Sequence, residues 1–476
     1  MRRARARYQR VLAAAANDPA LQEVLRTYQD DIQAGHDAEA RGIAGWDAWR
    51  DQVAVVREHT VAHLDYYLEQ FARQVERHGG QVSFAADAAE ACRIVGDVAA
   101  DAGAGLVVKS KSMVSEEVGL NRALQARGME VAETDLGEYI LQLADERPAH
   151  IVGPALHKSL QDVTELFSKE AGRRLNSEPD ELAAFARQAL REKFLAADVG
   201  ISGCNFGVAS TGAVVLVTSE GNGRMATSLP RTHIVLMGLE RLVPDWQSLD
   251  SLLTVLPRAG VGGAITTYVS GITGPRRAGD ADGPERLHVV VLDNGRADLL
   301  GGPYESMLHC IRCGACLDFC PVFRHVGGHS YGPVYSGPMG AVLTPLLLGL
   351  EEWADLPYLC SLCGACEEVC SARIPLTRLI LSLRRDAVEA GLVPLEWRLG
   401  MQAFAAVTER PRAYGAALRG AGRAVDALTR HEIKPPDAIL RPWTASRELP
   451  LPARRPFGDW WAGRQALGCP GPEGRP

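Results

Sequence analysis

Eight cysteines lie in two short runs of this 476-residue chain. The first reads Cys310-Ile-Arg-Cys313-Gly-Ala-Cys316 and is followed by Cys320; the second reads Cys360-Ser-Leu-Cys363-Gly-Ala-Cys366 and is followed by Cys370. Thiolates are soft anionic donors, and the two-residue gaps let three successive sulfurs take three corners of one iron–sulfur cube. A zinc site wants four ligands per ion, commonly as two Cys-x-x-Cys knuckles, so two four-cysteine runs ending in a three-residue gap point away from zinc. The chemistry implied is electron relay through two [4Fe-4S] clusters.

The first run, with Pro321 directly after its fourth cysteine, has the bacterial ferredoxin spacing, in which the fourth cysteine serves the other cluster. Cys310, Cys313, Cys316 and Cys370 are therefore assigned to one cluster, and Cys360, Cys363, Cys366 and Cys320 to the other. The second run departs from the pattern, because Ser371 follows it and proline is delayed to Pro375. Between the runs lie a glycine-rich stretch from Val326 and an apolar segment from Ala341 to Leu350, so this is a ferredoxin enlarged by helices. His309, His325 and His329 flank the first run, either as polar surface or as hydrogen-bond partners that tune the site. Cys92, Cys204 and Cys469 remain. Cys204 reads as a small buried hydrophobe, since no histidine lies near it in sequence to activate it.

The elements that must hold these groups alternate. Leu64, Leu68, Phe71 and Val75 recur at helical spacing before Gly79-Gly80. Strand-like runs follow at Leu106 to Val108, Ile151 to Val152, Ala213 to Val217, His233 to Met237, Ala264 to Val269 and Leu287 to Leu292, with amphipathic segments such as Glu116 to Arg127 and Glu181 to Phe194 between several of them. Strands separated by helices predict an α/β domain with a mostly parallel sheet, because parallel neighbours need a long crossover. The expected organisation is an N-terminal helical arm over 1–54, the α/β domain over 55–300, the ferredoxin-type region over 301–395, and a helical, proline-rich tail over 396–476.

Two segments of the α/β domain carry polar chemistry. Gly221, Gly223 and Ala226, with Glu240 beyond, match the spacing of a dinucleotide-binding loop, but Pro230 leaves too little room for its crossover helix. Lys109-Ser-Lys111-Ser112 directly follows a strand, where ligands often bind in open parallel sheets. With Arg224, these lysines form a candidate anion site, while Ser112 or Ser115 before Glu116-Glu117 reads as a helix cap.

Composition narrows the function. Lys and Arg total 51 against 58 Asp and Glu, a net charge of −7, with no basic stripe to suit nucleic acid. No secretory h-region follows the basic N-terminus, so the expectation is a cytoplasmic protein whose cysteines stay reduced. The apolar run Ala341 to Leu350 falls far short of the roughly 20 residues of a membrane helix, so any membrane contact would be peripheral.

Five further stretches carry a family resemblance: Val107-Val-Lys-Ser-Lys-Ser-Met113, Glu133-Thr-Asp-Leu-Gly-Glu-Tyr139, Gly203-Cys-Asn-Phe-Gly-Val-Ala209, Glu220-Gly-Asn-Gly-Arg224 and Asp293-Asn-Gly-Arg296. Together with the cysteine runs and Arg324-His-Val-Gly-Gly-His-Ser-Tyr-Gly332, the chain resembles lactate utilization protein B. The resemblance implies a lactate-utilization domain related to the sugar-phosphate isomerase and coenzyme A transferase folds, followed by a two-cluster ferredoxin-like region. It also implies companion subunits and electron donor or acceptor proteins, in the oxidation of L-lactate to pyruvate. The alternative is an oxidoreductase whose α/β domain binds the carboxylate substrate itself. Neither reading supplies a catalytic residue.

Overall fold

The computed structural model describes residues 2–332, 334–430, 453 and 455–466, and only the backbone of residues 2–8, 425–430 and 465–466. The chain divides into two units, Met1–Ala387 and Val388–Pro476.

The described residues of the first unit contain ten strands: β1 (Gln81–Ala85), β2 (Leu106–Lys109), β3 (Glu130–Glu133), β4 (Val199–Ser202), β5 (Phe206–Val208), β6 (Ala213–Thr218), β7 (Thr232–Gly238), β8 (Leu242–Val243), β9 (Tyr268–Ile272) and β10 (Arg286–Leu292). Six form a wholly parallel sheet in the order β1-β10-β7-β4-β2-β3. Its central strands are apolar on both faces because both faces are covered. Along β7, Ile234 and Leu236 join one core with Val95 and Leu120, while Val235 and Met237 join another with Phe71 and Val75. β10 alternates in the same way, with Val290 and Leu292 against Val289 and Val291. The fold is thus the α/β arrangement that the sequence predicts.

The remaining strands make a second, mixed sheet, β8-β5-β6-β9, in which β5/β6 and β6/β9 are antiparallel. The run Ala213 to Val217 therefore belongs to this small sheet and not to the parallel one. Ile151 and Val152 form no strand: His150 Nδ1 accepts the amides of Val152 (3.2 Å) and Gly153 (3.1 Å), which turns the chain.

The mixed sheet shares one core with the N-terminal helices and the cysteine region. Val53 and Val56 from helix Trp46–Ala62, Val215 from β6, Leu252 from helix Trp246–Val261, and Leu317, Phe323, Val342 and Leu379 from the cysteine region are all buried together. Burying each such side chain is worth about 1.5–3 kcal/mol. The cysteine loops are thereby fixed on apolar packing from three directions.

The second unit holds the helices Leu395–Thr408 and Pro411–Arg430, packed on each other, and Phe457–Ala466. Cys469 and most of the proline-rich tail lie outside the described residues. Among the described residues no helix is long and apolar enough to cross a membrane.

Candidate metal centre

The two cysteine runs repeat one backbone course. Arg312 (φ 60°) and Leu362 (φ 56°) are left-handed, as are Gly314 (φ 95°) and Gly364 (φ 86°), and each loop then enters a one-turn helix, Ala315–Asp318 or Ala365–Glu368. The left-handed residue turns its own amide back onto the first sulfur. Arg312 N–H donates to Cys310 Sγ at 3.4 Å and Leu362 N–H to Cys360 Sγ at 3.3 Å. The fourth cysteines receive a similar bond, Cys320 Sγ from Phe323 N–H (3.4 Å) and Cys370 Sγ from Ile374 N–H (3.3 Å). Amides aimed at sulfur favour the thiolate.

Cys310, Cys313, Cys316 and Cys370 line one small cavity, together with Ser371 and Met339. Cys320, Cys360, Glu367 and Cys363 act electrostatically on Cys366. Cys316 and Cys366 connect the two groups, for Cys366 acts electrostatically on Cys316. Burial pushes the thiols of Cys313 and Cys366 up to about 12 and that of Cys316 well above its ordinary value, with neighbouring sulfurs adding to the rise. Four neighbouring thiolates, most of them shielded from water, would repel one another, so each quartet needs a cationic core between its sulfurs. All-sulfur donor sets, with amides aimed at the first and fourth sulfur of each run, fit a [4Fe-4S] group and leave no hard oxygen ligand to suit magnesium or calcium.

Side chains from the N-terminal helices hold the backbone of these loops. Gln29, on helix Pro19–Gly42, donates to the carbonyls of Leu317 (2.8 Å) and Cys320 (3.3 Å), and Gln33 to that of Asp318 (2.7 Å). Arg50 donates Nε and Nη2 to Cys370 O at 3.1 and 3.0 Å. Arg57, 1% exposed, reaches the carbonyls of Leu242 (2.5 Å), Leu308 (2.9 Å), His309 (3.3 Å) and Glu240. Burial lowers the Arg57 guanidinium to about 10, which leaves it charged at neutral pH. Helix Trp246–Val261 closes on the first loop from another side, where a Cβ on Gly260 would stand 2.4 Å from Cys313 O.

A buried chain of charges runs from the first loop into the α/β domain. Arg312 meets Glu240 at 3.3 Å and lies 4.5 Å over the Tyr335 ring; Glu240 meets Arg296 at 2.8 Å; Arg296 forks onto Glu117 at 2.9 and 2.7 Å. Tyr335 closes the loop by donating to Glu117 at 2.5 Å. Burial alone would raise the Glu240 carboxyl, but Arg296, Arg241 and Arg312 bring it down to about 2.

Glu240 is therefore spent on arginines and cannot serve a ribose. The glycine loop before it also leaves β6 of the mixed sheet for a helix of only seven residues, Asn222–Ser228, so no dinucleotide crossover forms. Each of the three cations of the candidate anion site already has a partner. Lys109 is enclosed, with Nζ 2.8 Å from Glu133, 3.2 Å from Glu116 and 4.0 Å from Glu138; Lys111 donates to Val152 O at 2.5 Å; Arg224 lies 4.4 Å over Tyr268. Ser112 caps helix Met113–Glu117 through Ser115 N–H. Burial pushes the half-buried Cys204 up to about 12 and the buried Cys92 up as well, which disfavours their thiolates. Of the flanking histidines, His325 is exposed, His329 bonds Arg147 O (2.8 Å), and burial with Arg57 nearby lowers His309 to about 4.

Comparison with known proteins places this arrangement. Residues 68–292 match the LUD domain, 306–374 the 4Fe-4S dicluster domain, and 394–466 the C-terminal region of lactate utilisation protein B. Lactate utilization protein B of Shouchella clausii is 45% identical over 95% of this chain and 96% of its own length. The chain belongs to the lactate utilization protein B family. Two further members, from Bacillus velezensis and Bacillus subtilis, are both 46% identical, covering 93% and 90% of this chain and 92% and 90% of their own. A crystal structure of a DUF162 family protein from Deinococcus radiodurans overlaps 48% of this chain and 98% of its own at 15% identity, with a TM-score of 0.28, too low to bear on the fold. The family's iron–sulfur region is the segment in which both cysteine quartets lie.

Proposed function

We propose that this chain is the electron-transfer subunit of a cytoplasmic assembly that oxidises L-lactate to pyruvate with companion lactate-utilization subunits. Cys310, Cys313, Cys316 and Cys370 would hold one [4Fe-4S] cluster, and Cys360, Cys363, Cys366 and Cys320 the other. Such a cluster, when bound, takes up and releases one electron at a time. The observation that supports the reading is the cavity in which Cys370 joins the trio of the first run, within a dicluster domain of a family named for lactate utilization.

The chain's own residues fit a relay. Arg50, Arg57, Gln29 and Gln33 fix the loop carbonyls, so the sulfurs need move little when charge arrives. Arg312 and the amides at Cys310, Cys320, Cys360 and Cys370 offset negative charge on the sulfurs. Cys363, Ser361 and Leu362 are exposed, which gives a partner protein access to the second site. Hydride removal from lactate belongs to a flavin or nicotinamide cofactor, and the buried Lys109 and Glu240 of the α/β domain are already held by opposite charges.

The test is anaerobic purification with iron, sulfide and zinc analysis, and spin-resonance spectra after L-lactate is added with and without the companions. About eight irons per chain are expected, with reduction by lactate only when companions are present. Zinc, or half that iron, would overturn the assignment.

A further inference from the structure

Four arginines meet at Glu240, and three of them are fully engaged. Arg57 donates to four carbonyls, Arg296 forks onto Glu117 and meets Glu240, and Arg312 meets Glu240 and, at 3.2 Å, Met339 Sδ. Arg241 differs. Its side chain is only 9% exposed, yet its charged partner, Glu240 Oε1, stands 3.8 Å away, beyond hydrogen-bond reach. Among the described residues none of its N–H donors makes a hydrogen bond. Nε is fully enclosed, whereas Nη1 and Nη2 keep accessible surface. A guanidinium held this far from water, with its fork unengaged, is unfavourable until an anion meets it.

Position and charge narrow that anion. Arg241 ends the short turn Leu239–Arg241 that follows β7, and Cys204, which feels its charge, lies just past β4, the neighbouring strand. Arg241 thus stands at the carboxyl ends of two central parallel strands, where open α/β sheets receive ligands. The iron–sulfur group does not account for it, because Arg312 lines the sulfur cavity with Cys310 and Arg241 does not. Nor does Glu240 account for it, being shared with Arg296 and Arg312 at shorter range. Burial and Arg312 together lower the Arg241 guanidinium from its ordinary value, a strain that a bound anion would relieve. One unengaged fork suits a single negative charge spread over two coplanar oxygens, which is a carboxylate. A phosphate or sulfate would bring a second negative charge up to Glu240.

We propose that Arg241 receives the carboxylate of a small monocarboxylic acid at the carboxyl ends of β4 and β7. The choice of acids rests on the lactate reading above. The full, cluster-loaded chain is titrated by calorimetry with sodium L-lactate, sodium pyruvate and sodium acetate, and with sodium sulfate as the contrasting anion. Binding of a carboxylate is expected, weakened about tenfold in Arg241→Gln and less in Arg241→Lys, which keeps the charge without the fork. A second readout separates binding from a structural role. Arg241 and Cys310 feel each other's charge, so the bound acid should lower the potential of the cluster at Cys310 and leave the other in place. Redox titration followed by spin resonance reads that shift, which should vanish in Arg241→Gln. No binding of any of the three acids, sulfate bound as tightly as they are, or binding that Arg241→Gln leaves unchanged overturns the proposal. Acetate bound where L-lactate and pyruvate are refused would uphold the site and count against the lactate reading. Iron is measured on the same samples, and because calorimetry reads the site whatever the iron content, low iron counts against the relay alone.

Discussion

The two cysteine loops share a sequence pattern and a backbone course, yet their surroundings differ. In the first loop Ile311 is 4% exposed, and Arg312 is locked between Glu240 and Tyr335. In the second, Leu362 stands in the place of Arg312 and is 36% exposed, beside an exposed Cys363. Local geometry thus sets what a loop can hold, while packing sets what the held group senses. The inner site faces a charge chain; the outer site faces solvent. A relay needs this asymmetry, with one end toward the electron source and the other toward the acceptor.

The largest effects should come from breaking the crossed pairing. Cys320→Ala, although it lies in the first run, should empty the outer site, so that iron falls from about eight to about four per chain while the inner spectrum persists. Iron analysis and spin resonance read this directly, and loss of the inner spectrum alone would refute the crossing. Next come the clamps. Arg57→Met leaves four buried carbonyls without their donor and should cost about 3–5 kcal/mol in urea unfolding. Arg384, which holds the outer loop through Pro357 O (2.9 Å) and Cys360 O (2.7 Å), is nearer the surface, and Arg384→Met should cost only about 1 kcal/mol. Equal costs would mean that the two loops are held alike.

What the sequence discloses follows the same division. The cysteine motifs are legible because their chemistry depends on spacing within eleven residues. β7 and β10 are legible because strands covered on both faces are continuously apolar. β1, β3 and β4 are too short, and too mixed with Ser, Gly and Glu, to stand out. Arg50, Arg57 and Gln29 escape notice because a buried arginine that donates to distant carbonyls looks, in sequence, like one on a solvated helix face. Lys109 misleads for a related reason: the glutamates that enclose it lie seven to twenty-nine residues onward, and only the parallel pairing of Lys109 with Glu133 brings the nearest of them to it.

Potential should divide the sites more finely than stability does. Arg312→Gln removes a buried positive charge next to Cys310 and should lower the inner potential by on the order of 50–100 mV, given an effective dielectric near 20. Leu362→Gln should leave the outer potential nearly unchanged, since solvent already screens that loop. Redox titration followed by spin resonance reads both. A larger shift at the outer site would reverse the assignment of inner and outer.

The smallest effect concerns the residue at which the two runs depart from each other. Ser371 follows the second run where Pro321 follows the first, yet its hydroxyl lies 3.5 Å from Cys313 Sγ, a sulfur of the first. The proposed exchange of residues between runs would thus extend beyond the fourth cysteines to a group that touches a sulfur. Either atom can donate when the thiol is free, but toward a thiolate only the serine can, and that bond eases the arrival of an electron. Ser371→Ala should lower the inner potential by about 20 mV, the equivalent of roughly 0.5 kcal/mol, and leave the outer one in place. A shift at the outer site instead would mean that Ser371 acts within its own run, and that the crossing stops at the cysteines.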